Sequence, residues 1–336
     1  MNAQIDHHSR FIVGLDVGGT KVEVAIADLQ GEIVTQIVRP MVSNDSGLGV
    51  KSIATAIDAA LQQARFRPDQ LVAGQAGVPG QIENGLVKYA VNLNLNNFPL
   101  AEALSELYGI PFSLENDVRT AAMGAFSFYS HKSSINNLAY LSIGTGIAAG
   151  IILDGCIYRG ANGAAGEIGH TIFDLDGPEC RCGMHGCLEA LAAGPAMAAQ
   201  AQEAIRNGEE TTLRQVETVD SSSIYAAHRE NDPVAARIVH TTSRYLAQAV
   251  EWLVMAYDVD LLVLGGGVTH EGDGFLLPLW QELECIRDGS EFARRMLTES
   301  KIVLFPTGLN AGVLGSIALA KSLLQKPGLA SGERRR

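Results

Sequence analysis

The segment Gly166–Glu189 restricts what this chain can fold into more than any other stretch of its 336 residues. It reads Gly166-Glu167-Ile168-Gly169-His170, nine intervening residues, then Cys180-Arg181-Cys182-Gly183-Met184-His185-Gly186-Cys187-Leu188-Glu189. Three of the five cysteines fall within eight positions, with a histidine ten residues upstream. Three sulfurs and one imidazole are the ligand set of a closed, tetrahedral structural zinc site. Gly183 and Gly186 permit the tight turn that folds the third thiolate back on the first two. His185 competes with His170 as the nitrogen ligand. The other readings are buried free cysteines and a disulfide. The cysteine usage is that of a reducing compartment, and Cys180 and Cys182 are poorly spaced to pair. Glu167 and Glu189 flank the cluster, so a metal clip would hold two carboxylates in a fixed relation.

The length exceeds one usual core and predicts two domains. A net charge of −12 argues against nucleic acid as the main partner, because binding its backbone needs clustered Lys and Arg. It leaves room for phosphates, which a few amides and a metal ion can hold. No apolar run resembles a signal peptide or reaches bilayer length, so the expected location is the cytoplasm, with no membrane partner. Residues 1–9 and the Gly332–Arg336 tail read as loose polar ends.

In chain order, Phe11–Leu15 is a strand-like run that enters Asp16-Val17-Gly18-Gly19-Thr20-Lys21. Val22–Ala27 and Ile33–Val38 follow as further strands. A strand–turn–strand meander is not a strand feeding a helix, and the Rossmann and Walker glycine patterns are both absent. Gly18 and Gly19 can still offer amides to an anion, with Thr20 adding a hydroxyl and Lys21 a charge. Asp16 at the strand end suits Mg²⁺ through water, with a plain glycine hairpin as the alternative. Lys51–Phe66 has a helical apolar period, and Leu71–Gly74 is a short strand before the turn Gly77–Gly80. Tyr89–Phe98 reads as an asparagine-rich loop containing Asn92, of residues that usually make turns. Ile110–Leu114 is a strand leading through Glu115-Asn116-Asp117 into a helix over 118–128, with Asp117 the default N-cap. Asn137–Ile143, the turn Gly144-Thr145-Gly146 and Ile147–Leu153 repeat the opening meander and suggest an internal duplication. Ala190–Asn207 predicts a helix, 208–222 a polar connection, and 233–257 one long helix or two joined. Leu261–Leu264 is a buried strand into Gly265-Gly266-Gly267, which permits close approach of a flat ligand or makes a simple turn. Ile302–Phe305 and Gly312–Leu324 complete the chain as a strand and a helix.

With these residues in order, the chain resembles the ROK family (repressors, open reading frames, sugar kinases) over about residues 10–325. Gly166–Glu189 carries the likeness most specifically. The resemblance implies an α/β, two-lobed actin-like (ribonuclease H-like) ATPase fold with duplicated mixed-sheet domains and a cleft between them. It implies a small N-terminal domain over 1–116, completed by the C-terminal helix at about 312–336, and a large domain with the zinc loop over 117–311. Asp117 would be the general base for a sugar hydroxyl, usually O6. Asn116, Glu167, His170 and Glu189 would bind other hydroxyls, with Gly80 and Asn92 in the same pocket. His170, Cys180, Cys182 and Cys187 would hold zinc. ATP with Mg²⁺ would be the donor, and the assembly a homodimer or a dimer of dimers.

The reaction this implies is phosphorylation of a hexose at its 6-hydroxyl, with glucose first and N-acetylglucosamine, N-acetylmannosamine, mannose or fructose as alternatives. Polyphosphate is an alternative donor. A sugar-sensing transcriptional regulator and a silent sugar-binding protein are the alternatives of another class. Against the regulator, nine residues before the likeness are too few for a helix-turn-helix. The family often carries Asn two positions after the base and Glu shortly after; Arg119 and Ala125 stand there instead. Ala148-Ala149 likewise follow the second turn where glycine is common.

Overall fold

The computed structural model describes residues 9–41, 46–90 and 93–325. Asn92 and the expected loose tail at 332–336 lie outside them. The first part of the chain forms β1 (Phe11–Val17), β2 (Lys21–Asp28), β3 (Ile33–Pro40), α1 (Ser46–Ala64) and β4 (Leu71–Val78). It continues through β5 (Gln81–Glu83), β6 (Leu86–Ala90), β7 (Leu95–Phe98), α2 (Leu100–Tyr108), β8 (Phe112–Asn116) and α3 (Asp117–Ser130). The second part forms β9 (Leu138–Ile143), β10 (Ile147–Leu153), β11 (Cys156–Ile157), α4 (Leu188–Ala192) and α5 (Gly194–Arg206). Then come α6 (Ser221–Arg229), α7 (Pro233–Tyr257), β12 (Leu261–Gly265), α8 (Asp273–Gly289), α9 (Glu291–Met296), β13 (Ile302–Leu304) and α10 (Ala311–Gln325).

Contacts divide the chain into two units. One comprises 1–133, 161–163 and 310–336, the other 134–160 and 164–309. The division falls one helix later than the 116/117 boundary expected from the sequence. Its physical reason is that α3 packs on α10. Gly124 and Gly315 lie at that crossing, where a Cβ on Gly315 would stand 1.8 Å from the Thr120 carbonyl oxygen.

Each unit is built on a five-stranded mixed sheet. The orders are β3-β2-β1-β4-β8 and β11-β10-β9-β12-β13. In both, the first three strands form an antiparallel meander and the last two run parallel to its first strand. The duplication suggested by two glycine–threonine turns is thus a duplication of the whole sheet. β1 is apolar on both faces because both are covered, by α1 with its neighbours on one side and by α10 on the other. Parallel strands buried in this way read as continuous apolar runs, as β1, β9 and β12 do.

Three sequence expectations change. The asparagine-rich stretch is partly sheet: β5, β6 and β7 form a three-stranded antiparallel layer with Asn96 and Asn97 in β7. Its Asn94 and Asn97 have positive φ, which is what asparagine tolerates. The helix expected over 190–207 is two helices, because Ala193 is extended (φ −72°, ψ 161°) and Pro195 opens α5. The polar connection at 208–222 contains a short 3₁₀ turn at Thr212–Gln215, capped by the Thr211 hydroxyl.

Candidate functional site

In the first unit the β1–β2 turn carries Asp16, Gly18, Gly19, Thr20 and Lys21. Gly18 N–H donates to the Lys21 carbonyl (2.8 Å), which closes the turn. Asp16 stands directly across from Glu23 in the antiparallel register. Asn310 Nδ2 donates to both carboxylates, to Asp16 Oδ2 (2.9 Å) and to Glu23 Oε2 (2.8 Å). Its own Oδ1 accepts the N–H groups of Gly312 (2.8 Å) and Val313 (3.2 Å), so the same side chain caps α10. Gly312 has no Cβ because one would lie 2.7 Å from the Asp16 carboxyl carbon. Burial pushes the Asp16 carboxyl above its ordinary value; the Asn310 hydrogen bond opposes this and the Glu23 charge adds to it.

At the β8–α3 junction the default assignment of the cap to Asp117 is corrected. Asn116 is the N-cap, and its Oδ1 accepts from Val118 N–H (3.0 Å) and Arg119 N–H (3.1 Å). Asp117 is the first helical residue, with its Oδ1 accepting the Val118 N–H (2.9 Å). Asn116 Nδ2 donates to the Gly80 carbonyl (3.1 Å), which joins two residues assigned to one pocket. Arg119 is buried; its Nε donates to Glu115 Oε1 (2.8 Å) and its Nη1 to the Gly163 carbonyl (2.7 Å). This buried ion pair brackets Asn116 and Asp117 on both sides in sequence.

In the second unit, His170, Cys180, Cys182 and Cys187 converge, with all four donor atoms within 4.8 Å of one another. Cys182 Sγ to Cys187 Sγ and Cys180 Sγ to His170 Nδ1 are each 3.7 Å. A tetrahedral ion with zinc–sulfur bonds of about 2.3 Å has ligand-to-ligand edges of about 3.8 Å. The donor set therefore fits zinc, with Nδ1 as the nitrogen donor. His185, the competing imidazole, is not among the four. Cys180 N–H to the Met184 carbonyl (2.7 Å) and Gly183 N–H to the Cys180 carbonyl (2.8 Å) shape the loop. The Gly166 carbonyl accepts the Ala149 N–H (2.7 Å), which fastens the segment bearing Glu167 and His170 to β10.

The turn Gly144-Thr145-Gly146 joins β9 to β10, and the Gly144 carbonyl accepts the Gly194 N–H (2.9 Å) at the start of α5. A cavity of about 400 Å³ is lined by Gly144, Thr145, Pro195, Ser221, Gly267 and Val268, among others. It brings the second glycine turn together with the end of the Gly265–Gly267 run. Only Gly267 faces open space. Gly265 and Gly266 are bare because a Cβ would meet the Tyr140 ring and the Ile143 backbone. Glu189 lies beside the turn, with Oε2 accepting the Ile147 N–H (3.1 Å) and Oε1 accepting from Arg181 Nη2 (2.9 Å).

Thus Asp16, Gly80, Asn116 and Asp117 belong to the first unit, and Glu167, His170, Glu189 and both later glycine runs to the second. The sequence reading missed Glu23 and Asn310. A signal existed for each: Glu23 follows the turn at the spacing that sets it opposite Asp16, and an Asn immediately before an apolar helix is an N-cap signature. Among the described residues no helix is long and apolar enough to cross a membrane.

The ROK family profile matches residues 12–323. A protein named glucokinase from Halalkalibacterium halodurans is 33% identical over 325 residues, covering 93% of this chain and 95% of that protein. A xylose repressor from Caldicellulosiruptor bescii is 27% identical, over 95% of this chain and 80% of the repressor. Among solved structures, a ROK family glucokinase from Streptomyces griseus, in complex with glucose and AMPPNP, superposes with a TM-score of 0.77 at 27% identity. The match covers 93% of this chain and 99% of that one. With its duplicated sheets, its four-ligand cluster and this match along nearly its whole length, the chain belongs to the ROK family.

Proposed function

We propose that the chain is an ATP-dependent hexose kinase that phosphorylates the 6-hydroxyl, with glucose as the first candidate. N-acetylglucosamine, N-acetylmannosamine, mannose and fructose follow. The observation that carries this reading is the division of labour at the start of α3: Asn116 caps the helix, so Asp117 is not needed for that task. Asp117 takes the proton from the attacking hydroxyl, a role worth about 10²–10⁴ in rate. Asn116, Gly80, Glu167, His170 and Glu189 bind the remaining hydroxyls, with Asn92 added from the sequence alone. His170 serves twice, through Nδ1 on the metal and through Nε2 toward the sugar. Gly18, Gly19, Thr20 and Lys21, with Gly144, Thr145 and Gly146, hold the phosphates through amides, a hydroxyl and an ammonium. Gly267 faces the adenosine, and Gly265 and Gly266 shape the strand end that leads to it. Phosphoryl transfer asks for positioning and charge stabilisation rather than covalent help, and this arrangement offers both. Mg²⁺ near Asp16 supplies charge neutralisation when bound, and zinc fixes the 166–189 loop. A cytoplasmic location and a homodimer belong to the same reading.

The test is a coupled ADP-release assay with Mg-ATP against a panel of hexoses and N-acetylhexosamines. Turnover on one sugar, lost in Asp117→Asn, supports the kinase and names its substrate. The likeness to a xylose repressor favours one other reading, a sugar sensor. Tight sugar binding by calorimetry with no turnover on any sugar, whether ATP or polyphosphate is the donor, would select it.

A further inference from the structure

Glu189 is engaged on both sides. Its Oε2 accepts the N–H of Ile147, the residue that follows the Gly144–Gly146 turn. Its Oε1 accepts from Arg181 Nη2 at 2.9 Å. A Cβ on Gly146 would stand 2.4 Å from Oε2, so the turn lies directly against the carboxylate. Arg181 sits between Cys180 and Cys182, and Glu189 follows Cys187 by two residues. One carboxylate therefore bridges the metal loop and the glycine turn, and both Arg181 and Glu189 lie within two residues of a cysteine of the four-residue cluster.

We propose that Glu189 is a positioning residue for the Gly144–Gly146 turn and that Arg181 is its anchor and its counter-charge. Nucleotide affinity then depends on a side chain of the metal loop. The proposal rests on the assignment of that turn to nucleotide phosphates. A carboxylate that accepts the Ile147 N–H fixes the peptide after Gly146, and with it the direction in which the turn's amides point. An uncompensated negative charge at the same place would repel a polyphosphate. The Arg181 guanidinium offsets that charge, so the turn gains the acceptor without the repulsion. Removing Arg181 alone leaves the repulsion. Converting Glu189 to Gln keeps an acceptor for Ile147 and removes the charge.

The experiment is a calorimetric titration of Mg-ADP, with no sugar present, into the zinc-loaded chain. The variants are Arg181→Met, Arg181→Lys, Glu189→Gln and the double variant Arg181→Met/Glu189→Gln, with zinc counted in each. The expected result is about fivefold weaker binding for Arg181→Met. Arg181→Lys, Glu189→Gln and the double variant should stay within about twofold of the parent chain. Rescue of Arg181→Met by a second substitution at Glu189 is an outcome that a merely structural arginine does not give. Unchanged Mg-ADP affinity in Arg181→Met, absence of rescue, or loss of zinc from Arg181→Met would each overturn the proposal while leaving the kinase reading in place. Failure of the parent chain to bind Mg-ADP would instead remove the nucleotide assignment, and this inference with it.

Discussion

Asn310 Nδ2 lies 2.9 Å from Asp16 Oδ2, and the same amide caps the helix whose first turn covers that carboxylate. Asp16 is half-buried, with Glu23 as a second negative group on the same amide. Its raised pKa makes ionisation a cost to the fold. Between the ordinary value of 3.8 and the raised one, the folded chain binds the proton more tightly than the unfolded chain. Stability therefore falls as pH rises through that window and stays lowered above it. Asp16→Asn should stabilise the metal-free protein at neutral pH by about 1 kcal/mol, while abolishing turnover. Urea unfolding at pH 7 reads the first effect; a variant no more stable than the parent would contradict it.

Asn310→Asp separates the two tasks of Asn310. Aspartate caps a helix as well as asparagine does, so α10 keeps its cap. It donates nothing to Asp16 or Glu23 and places a third carboxylate beside them. The variant should lose about 2 kcal/mol at pH 7 and recover part of it toward pH 5, because the added negative charge favours the protonated form of Asp16 still further. Unfolding curves at the two pH values check it. A loss independent of pH would mean that packing, not charge, sets the role of Asn310.

Arg119→Met would leave the Glu115 carboxylate buried without the guanidinium that offsets its charge. Breaking a buried pair by removing one partner costs about 3–5 kcal/mol, whereas replacing both partners by uncharged groups is often near neutral. Glu115→Gln/Arg119→Met should therefore be more stable than Arg119→Met alone, since glutamine still accepts the Asn116 N–H that Glu115 Oε1 accepts at 2.9 Å. A double-mutant cycle by denaturant unfolding measures the difference. Equal stability of the single and double variants would show that the pair contributes little beyond packing.

The parts of this protein that read well from the sequence are those whose signal is local. The meander strands announce themselves by apolar runs between glycine turns, and the three cysteines by their crowding between Cys180 and Cys187; it is the family resemblance that favours His170 over His185. The same reading failed where the deciding partner is distant in sequence. Asn310 meets Asp16 across 294 positions, and no spacing rule links them. Arg119 looked like a departure from the family pattern; its use became visible only with Glu115 and the Gly163 carbonyl beside it. Sequence periodicity also could not divide 190–207 into two helices, because alanine-rich segments look alike on either side of an extended Ala193.

The four-ligand cluster carries a prediction about metal. Burial pushes the Cys187 thiol up to about 12, so the metal-free site would hold an un-ionised thiol. A bound ion deprotonates its thiol ligands, which ties metal binding to folding. The chain should carry one zinc per protomer by elemental analysis. Cys182→Ser should lose it and melt several degrees lower. An unchanged melting temperature without metal would show that the loop holds its shape unaided.

Asp117→Asn tests the assigned chemistry with little disturbance to the fold. The Val118 N–H that Asp117 Oδ1 accepts at 2.9 Å can be accepted equally by an asparagine oxygen, and the cap at Asn116 is untouched. The melting temperature should therefore stay close to the parent value. The amide cannot take a proton from a hydroxyl, so kcat should fall by about 10²–10⁴. KM for the sugar should change by less than about threefold, because the amide keeps a hydrogen-bonding oxygen and the remaining hydroxyl contacts come from other residues. Loss of sugar affinity with kcat retained would reverse the assignment, making Asp117 a binding group and leaving the proton to another acceptor. A fall in kcat at unchanged KM, with parent-like melting, is the result expected of a group that acts on the attacking hydroxyl only in the transition state.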